Sequence, residues 1–181
     1  MKNQDKRVLN TVLVGALAAM VYVVTLFRFP LLGSKVHFAN AVCLLAGLLL
    51  GPVPGGIAAG LGSALYDLTM YNEGIVNLLI TFVSKFAMAW VCGMLAGKTE
   101  EKPLPKIIIA CVLGALTYVA LYMLKTGVYG FIAGNIWAPI VSKFPASIIN
   151  AAVAMVAAPI FYHALRPALK AAGILQTETK K

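Results

Sequence analysis

Apolar stretches of membrane-spanning length recur from one end of the sequence to the other, separated by short polar connections. A transmembrane helix needs about 20 predominantly apolar residues. Inside a bilayer every backbone polar group must be satisfied internally, so helices are what such stretches form. Composition removes the alternative of a soluble fold. Of 181 residues, 61% are hydrophobic and 12% charged, against roughly 45–50% and about 25% in soluble domains. The sequence predicts an all-α integral membrane protein with one membrane domain over residues 1–181 and six transmembrane helices, at about 8–29, 36–50, 55–70, 75–96, 106–124 and 140–165. The second and third are short for a full crossing, and Gly51-Pro52-Val53-Pro54 reads as the tight turn between them. The basic start (Lys2, Lys6, Arg7) resembles a signal-peptide n-region. The apolar run behind it is too long for an h-region and lacks an A-x-A cleavage site, so it reads as a retained helix.

The formal charge of +9 would suggest nucleic acid only if the cations clustered on one soluble face. Here they fall between apolar runs, where topology accounts for them. With both termini in the cytoplasm of a prokaryotic cell, the inner side carries Lys2, Lys6, Arg7, Lys98, Lys102, Lys106, Arg166, Lys170, Lys180 and Lys181. The outer side carries Arg28, Lys35, Lys125 and Lys143, and Lys85 lies within the membrane. The bias predicts cytoplasmic N and C termini. It leaves the outer cations to be explained otherwise.

Three polar stripes fall where hydrocarbon should not contain them. Asn77, Thr81 and Lys85 recur at i, i+4 and i+8 with Ser84 beside them; Tyr118, Tyr122 and Lys125 at i, i+4 and i+7; Lys143, Ser147 and Asn150 at the same spacing. Such spacings put each set on one side of its helix, and the topology puts all three in the outer half of the membrane. Lys85 is the sharpest case. An ammonium near mid-span costs at least about 2.5–3.5 kcal/mol on insertion scales, so it must face the protein interior or a wet cavity. It is either a ligand contact or the partner of Asp67 in an internal ion pair. Ser and Thr on such helices often bond their own backbone, whereas the Asn150 carboxamide offers donor and acceptor together. Tyr118 and Tyr122 read as interface-belt aromatics, and Trp137 is a belt residue or a lid that stacks on a ring-shaped ligand. His37 is a solvated loop histidine or, with Lys35 and Asn40, part of a polar cluster at the start of the second helix. The candidate binding residues are therefore His37, Asn40, Asp67, Asn77, Lys85, Tyr122, Lys125, Trp137, Lys143 and Asn150.

No enzyme constellation accompanies them. Gly93 to Thr99 resembles a phosphate loop, but three residues stand between its glycines where four are needed. Gly97 reads instead as a helix C-terminal glycine. There is no H-E-x-x-H and no G-x-S-x-G, and the odd set of Cys43, Cys92 and Cys111 forms no C-x-x-C pair. No cofactor, metal site or catalytic residue is expected. Nor is there the clear internal repeat that secondary transporters often carry. This favours a binding subunit over a complete transporter.

Val36-His37-Phe38-x-Asn40, the string Leu44-Leu45-Ala46-Gly47-Leu48-Leu49-Leu50-Gly51-Pro52-Val53-x-Gly55-Gly56, and Gly62-Ser63-Ala64-x-x-Asp67 together resemble the substrate-binding S components of energy-coupling factor (ECF) vitamin transporters. The resemblance covers essentially the whole chain. It implies high-affinity binding of a vitamin or related micronutrient in a pocket of helices 4 to 6, capped by the loops after helices 1, 3 and 5. It also implies docking through helices 1 to 3 on a transmembrane coupling subunit joined to two cytoplasmic ATPases, and toppling of the S component in the membrane. The family's A-x-x-x-A docking pattern corresponds here to Gly15-x-x-x-Ala19, with Thr11 one step earlier. Small residues at that spacing also serve packing within a protein, because they let helix backbones approach closely in lipid. Gly56, Gly60 and Ala64 repeat the spacing in the third helix, which is expected to pack tightly and contribute to the docking face.

The outer cations favour an anionic or carbonyl-rich ligand, with Tyr122, Tyr129 and Trp137 available to stack on a ring. Pantothenate, a folate, a flavin or a pterin-like compound fits. Thiamine fits poorly, because only Asp67 and Glu73 are outer-side anions. Two readings from other classes stand beside this one: an intramembrane enzyme using Asp67 and Lys85, and a self-sufficient small-solute carrier.

Overall fold

The structure, a computed structural model, describes residues 3–31, 34–70, 74–97 and 102–172. Lys2, Glu73, Lys98, Thr99, Lys180 and Lys181, used above, lie outside the described residues, as do the side chains of Lys6 and Lys35. In chain order the elements are α1 (Asn3–Leu26), β1 (Arg28–Leu31), β2 (Ser34–His37), α2 (Ala39–Leu50), α3 (Pro52–Met70), α4 (Ile75–Ala96), α5 (Leu104–Ile132) and α6 (Trp137–Ala171). The chain is predominantly helical. Four helices are long and apolar enough to cross a membrane: Arg7–Leu26 within α1, and the whole of α4, α5 and α6.

α2 is the centre of the bundle. Its 12 residues rise only about 18 Å, short of a hydrocarbon core of about 30 Å. All but its last two residues are buried, and Leu44, Leu45 and Leu48 are fully enclosed by α3, α4, α5 and α6 together with α1. A helix apolar on every side suits a protein core or lipid, and here its length and burial place it in the core. The outer helices carry their large apolar side chains outward, among them Val8, Ile75, Val141 and Val156, as a lipid-facing surface requires.

Three boundaries differ from the sequence expectation, each for a local reason. The first helix stops at Leu26 rather than near Phe29, and Arg28–Leu31 pairs antiparallel with Ser34–His37 in place of a loop. Pro30 disfavours helical backbone at Phe29, and the register sets Arg28 opposite His37. The turn between α2 and α3 is Gly51 alone. Its φ of 83° suits glycine, its N–H closes on the Gly47 carbonyl at 3.0 Å, and α3 begins at once with Pro52, whose missing N–H costs nothing at the first helical position. The third difference is the expected connection over 125–139, most of which is helix. α5 runs on to Ile132, and only residues 133–136 turn. Gly130 sits against the Asn135 carbonyl and the Pro139 ring, so α6 folds back hard on α5. The Asn135 side chain accepts from the Trp137 and Ala138 N–H groups at 3.2 and 3.1 Å, satisfying the start of α6.

Candidate functional site

The alternation of six helices brings the β1–β2 hairpin, the starts of α2, α4 and α6, and the ends of α1, α3 and α5 to one end of the bundle. There they enclose a cavity of about 570 Å³. All three polar stripes open into it. Asn77, Thr81, Ser84 and Lys85 come from α4; Tyr118, Tyr122 and Lys125 from α5; Lys143, Ser147 and Asn150 from α6. Asp67 lines it from α3 and His37 from β2. Helical spacing therefore identified faces that three separate helices turn toward the same space.

Lys85 is 5% exposed and sits midway along α4. Its ammonium donates to Asn40 Oδ1, at the start of α2, and lies 3.7 Å from the centroid of the Tyr118 ring. Among the described residues no carboxylate pairs with it, so the expected Asp67 ion pair is not the one that forms. Asn40 is itself 1% exposed and reaches the cavity only through Lys85. Tyr118 and Tyr122 stack with centroids 5.9 Å apart, and both line the cavity.

The hairpin is fastened over the cavity. The His37 N–H donates to Asn150 Oδ1 at 2.9 Å, joining β2 to α6, and the Arg28 guanidinium lies 5.6 Å from the centre of the Tyr66 ring on α3. Burial, with the charges of Lys85 and Arg28 adding to it, pushes the His37 imidazole down to about 3. It is neutral at physiological pH. Across the cavity Tyr129 donates to Asn77 Oδ1 at 3.1 Å, linking α5 to α4. Ser84 and Ser147 return their hydroxyls to the Ile80 and Lys143 carbonyls, at 2.7 and 2.9 Å.

Trp137 is brought in by neither route. It is 70% exposed and does not line the cavity. Arg28, Tyr66 and Thr126 do line it and were not among the candidates. Arg28 looked like a loop cation because the hairpin was not foreseen. Tyr66 adjoins Asp67, and Thr126 follows Lys125, so helical neighbours of the chosen residues would have pointed to both.

The small residues divide. Thr11, Gly15 and Ala19 are exposed along α1; the Thr11 hydroxyl is returned to the Arg7 carbonyl at 3.0 Å, and a side chain at Gly15 would meet nothing within 4 Å. Gly56 and Gly60, expected to pack tightly and to contribute to the docking face, are buried. A Cβ at either would stand 2.8 Å from the Phe86 or Phe82 ring of α4. They lie on the seam where α3 and α4 meet, the close packing within the protein that their spacing predicted.

The family model described as ECF-type riboflavin transporter, S component, matches residues 6–167. A solved structure titled as the S component of a bacterial ECF transporter is similar over 89% of this chain and 97% of its own, with a TM-score of 0.71 and 18% sequence identity. At that identity the likeness is one of fold. No curated relative matches the sequence.

Proposed function

The chain belongs to the family of ECF-type riboflavin transporter S components, and from that premise we propose that the cavity at the hairpin end is its vitamin-binding site. Proteins of this family are substrate-binding subunits of vitamin transporters, not enzymes. The observation that carries the proposal is the convergence of Asn77, Lys85, Tyr122, Lys125, Lys143 and Asn150, from three helices, on one cavity. Its 570 Å³ lies within the roughly 300–1,000 Å³ of small-molecule pockets. The Tyr118–Tyr122 face suits a planar ring such as that of a flavin, and the carboxamides and hydroxyls around it suit a polyhydroxyl chain.

In this reading the hairpin end faces outward, both termini are cytoplasmic, and all six helices count as passes, α2 crossing only with the help of the hairpin above it. The protein sits in a prokaryotic plasma membrane. It carries its ligand inward with a transmembrane coupling subunit and two cytoplasmic ATPases that hydrolyse the ATP. The exposed Thr11–Gly15–Ala19 face of α1 receives the coupling subunit, since small residues allow close helix approach.

The test is binding and uptake with defined components. Purified protein is titrated with riboflavin and with acid-bearing vitamins, then reconstituted with and without coupling subunit and ATPases. Submicromolar binding and uptake only with the partners are expected. Uptake by the chain alone would establish a self-sufficient carrier, and turnover of a lipid or peptide dependent on Asp67 and Lys85 would establish an intramembrane enzyme; either overturns the proposal.

A further inference from the structure

The partner that the fold gives Lys85 is the weaker of two that would fit the same space. Its ammonium donates to the Asn40 carboxamide oxygen and lies 3.7 Å from the centroid of the Tyr118 ring. Asn40 is the second residue of α2 and is 1% exposed. An aspartate there, of nearly the same shape, would answer the ammonium with a charge and would suit the positive end of the α2 dipole. The carboxamide orients the cation and leaves its charge in place. An ammonium has three N–H donors. One goes to Asn40 and the ring face takes the cation from a second side, which leaves donor capacity for whatever enters the cavity that Lys85 lines.

Depth decides which part of a ligand that is. Asn77 lies in the first turn of α4 and Lys85 a little over two turns further on, about 12 Å deeper in the bundle. The stacked Tyr118–Tyr122 pair lines the cavity beside it, so a planar ring laid along that wall meets the ammonium with its edge. The hydroxyl-bearing chain is then left toward Asn77 and the hairpin. We infer that the Lys85 ammonium binds the carbonyl edge of a flavin ring, and that Asn40, from outside the cavity, is the positioning residue that aims it. The inference rests on the reading of this cavity as the vitamin site; it adds which edge is read and by which pair. The ligand needs no charge of its own, because the neutral oxidised ring presents two carbonyl oxygens and the N1 nitrogen as acceptors for a charge-assisted hydrogen bond. When such a ring takes up two electrons and one proton it becomes an anion, with its negative charge on N1 and the adjoining carbonyl of that edge. A cation held there favours the reduced ring over the oxidised one.

The experiment titrates the purified full chain, without oxygen and at mildly alkaline pH, with riboflavin before and after reduction by dithionite, and with lumiflavin, the ring bearing a methyl group in place of the chain. The reduced ring should bind about tenfold tighter than the oxidised one, which raises the midpoint potential of bound riboflavin by about 30 mV for a two-electron couple. This comparison needs no variant, so it holds even where a substitution prevents folding. Lys85→Met should abolish the preference and weaken oxidised riboflavin and lumiflavin by the same factor, and Lys85→Arg should keep part of the preference. Asn40→Asp should erase the preference without lowering the thermal midpoint, a pairing of effects that a merely structural Asn40 would not give. Equal affinity for the two redox forms in the native protein, or a Lys85→Met loss confined to riboflavin and absent from lumiflavin, would overturn the inference and leave the vitamin-binding reading intact. An Asn40→Asp protein that keeps the full preference would overturn the positioning role. Failure of riboflavin and lumiflavin alike to bind, with no uptake beside the partner subunits, would overturn the vitamin-binding reading and the inference with it.

Discussion

The two ends of α2 each meet a lysine, and the two lysines differ in what their surroundings supply. Near the C-terminal end, Lys102 donates to the Leu48 carbonyl at 2.6 Å, with its ammonium 5.6 Å from the centre of the Tyr162 ring. Leu48 is one of the last four residues of its helix, whose carbonyls have no helical partner. A cation there also meets the negative end of the helix dipole. Burial lowers the Lys102 pKa, with Arg166 and Lys106 adding to the effect, but amine and ammonium alike donate to that carbonyl. Lys85 stands at the opposite end, beside Asn40 on the first turn, where the dipole is positive and disfavours a cation. It too has an oxygen and an aromatic ring, without the electrostatic reason. One lysine completes the fold. The other, on α4, is placed against the preference of the α2 N-terminus, on the wall of a cavity.

That contrast is sharpest if each lysine is removed. Lys85→Met should lower affinity for the vitamin ligand about 10- to 100-fold, the 1.5–3 kcal/mol typical of hydrogen bonds to charged groups. The thermal midpoint of the empty protein should change little, because relief of a buried charge offsets the hydrogen bond lost at Asn40 Oδ1. Lys102→Met should do the reverse. It leaves the Leu48 carbonyl unsatisfied, at a cost of about 1–2 kcal/mol in stability, and leaves ligand affinity alone. Thermal melts and titrations on the same two variants decide it. A Lys85→Met protein that melts early and binds normally would make Lys85 structural and erase the difference between the two ends.

His37 adds a smaller effect at the cavity end. Its pKa is near 3 in the folded protein and about 6.5 in an unfolded chain, so the unfolded state binds more protons between those values. Stability contributed by the neutral imidazole is therefore complete above about pH 6.5 and is lost as pH falls toward 3, by at most about 1.4 kcal/mol per pH unit. Between pH 6 and 5 the melting temperature should fall for the native protein and less for His37→Gln. Equal slopes would mean that another group carries the acid sensitivity. Lys102, at the other end, should add nothing to this window.

How much of this was legible in the sequence depends on whether the signal was periodic. Asn77, Thr81 and Lys85 could be assigned to one face because a helix fixes the direction of every fourth side chain, and the same holds for the stripes of α5 and α6. The apolar run ending at Leu50 and the Gly51-Pro52 punctuation located α2 and its turn. What failed was tertiary. Gly56 and Gly60 have the spacing of a small-residue face, but spacing cannot say which neighbour the face meets; within the protein it meets Phe86 and Phe82. The Lys85 partner was sought among carboxylates because charge pairs with charge, while the bundle places Asn40 next to it from a helix 45 residues earlier in sequence. The hairpin was lost because Phe27 and Phe29 continue the apolar run past the point where Pro30 ends the helix. In lipid the usual meaning of glycine also weakens: Gly127 and Gly130 lie inside α5, where water-based propensities suggested a loop.

Trp137 provides the smallest and last contrast. It was a candidate lid because an indole above a cavity can stack on a ring, yet it stands exposed at the first residue of α6 and its backbone N–H is held by Asn135. Replacing an exposed side chain away from caps and cores changes stability within about 0.5 kcal/mol, and Trp137→Ala should move ligand affinity no more than about twofold by the same magnitude. Tyr122→Ala, on the cavity wall, should weaken a ring-bearing ligand measurably in the same titration. Should Trp137→Ala instead weaken binding tenfold, the indole must swing onto the ligand after it enters. The hairpin end would then be a surface that closes on its ligand, while the Lys102 end stays as rigid as its packing requires.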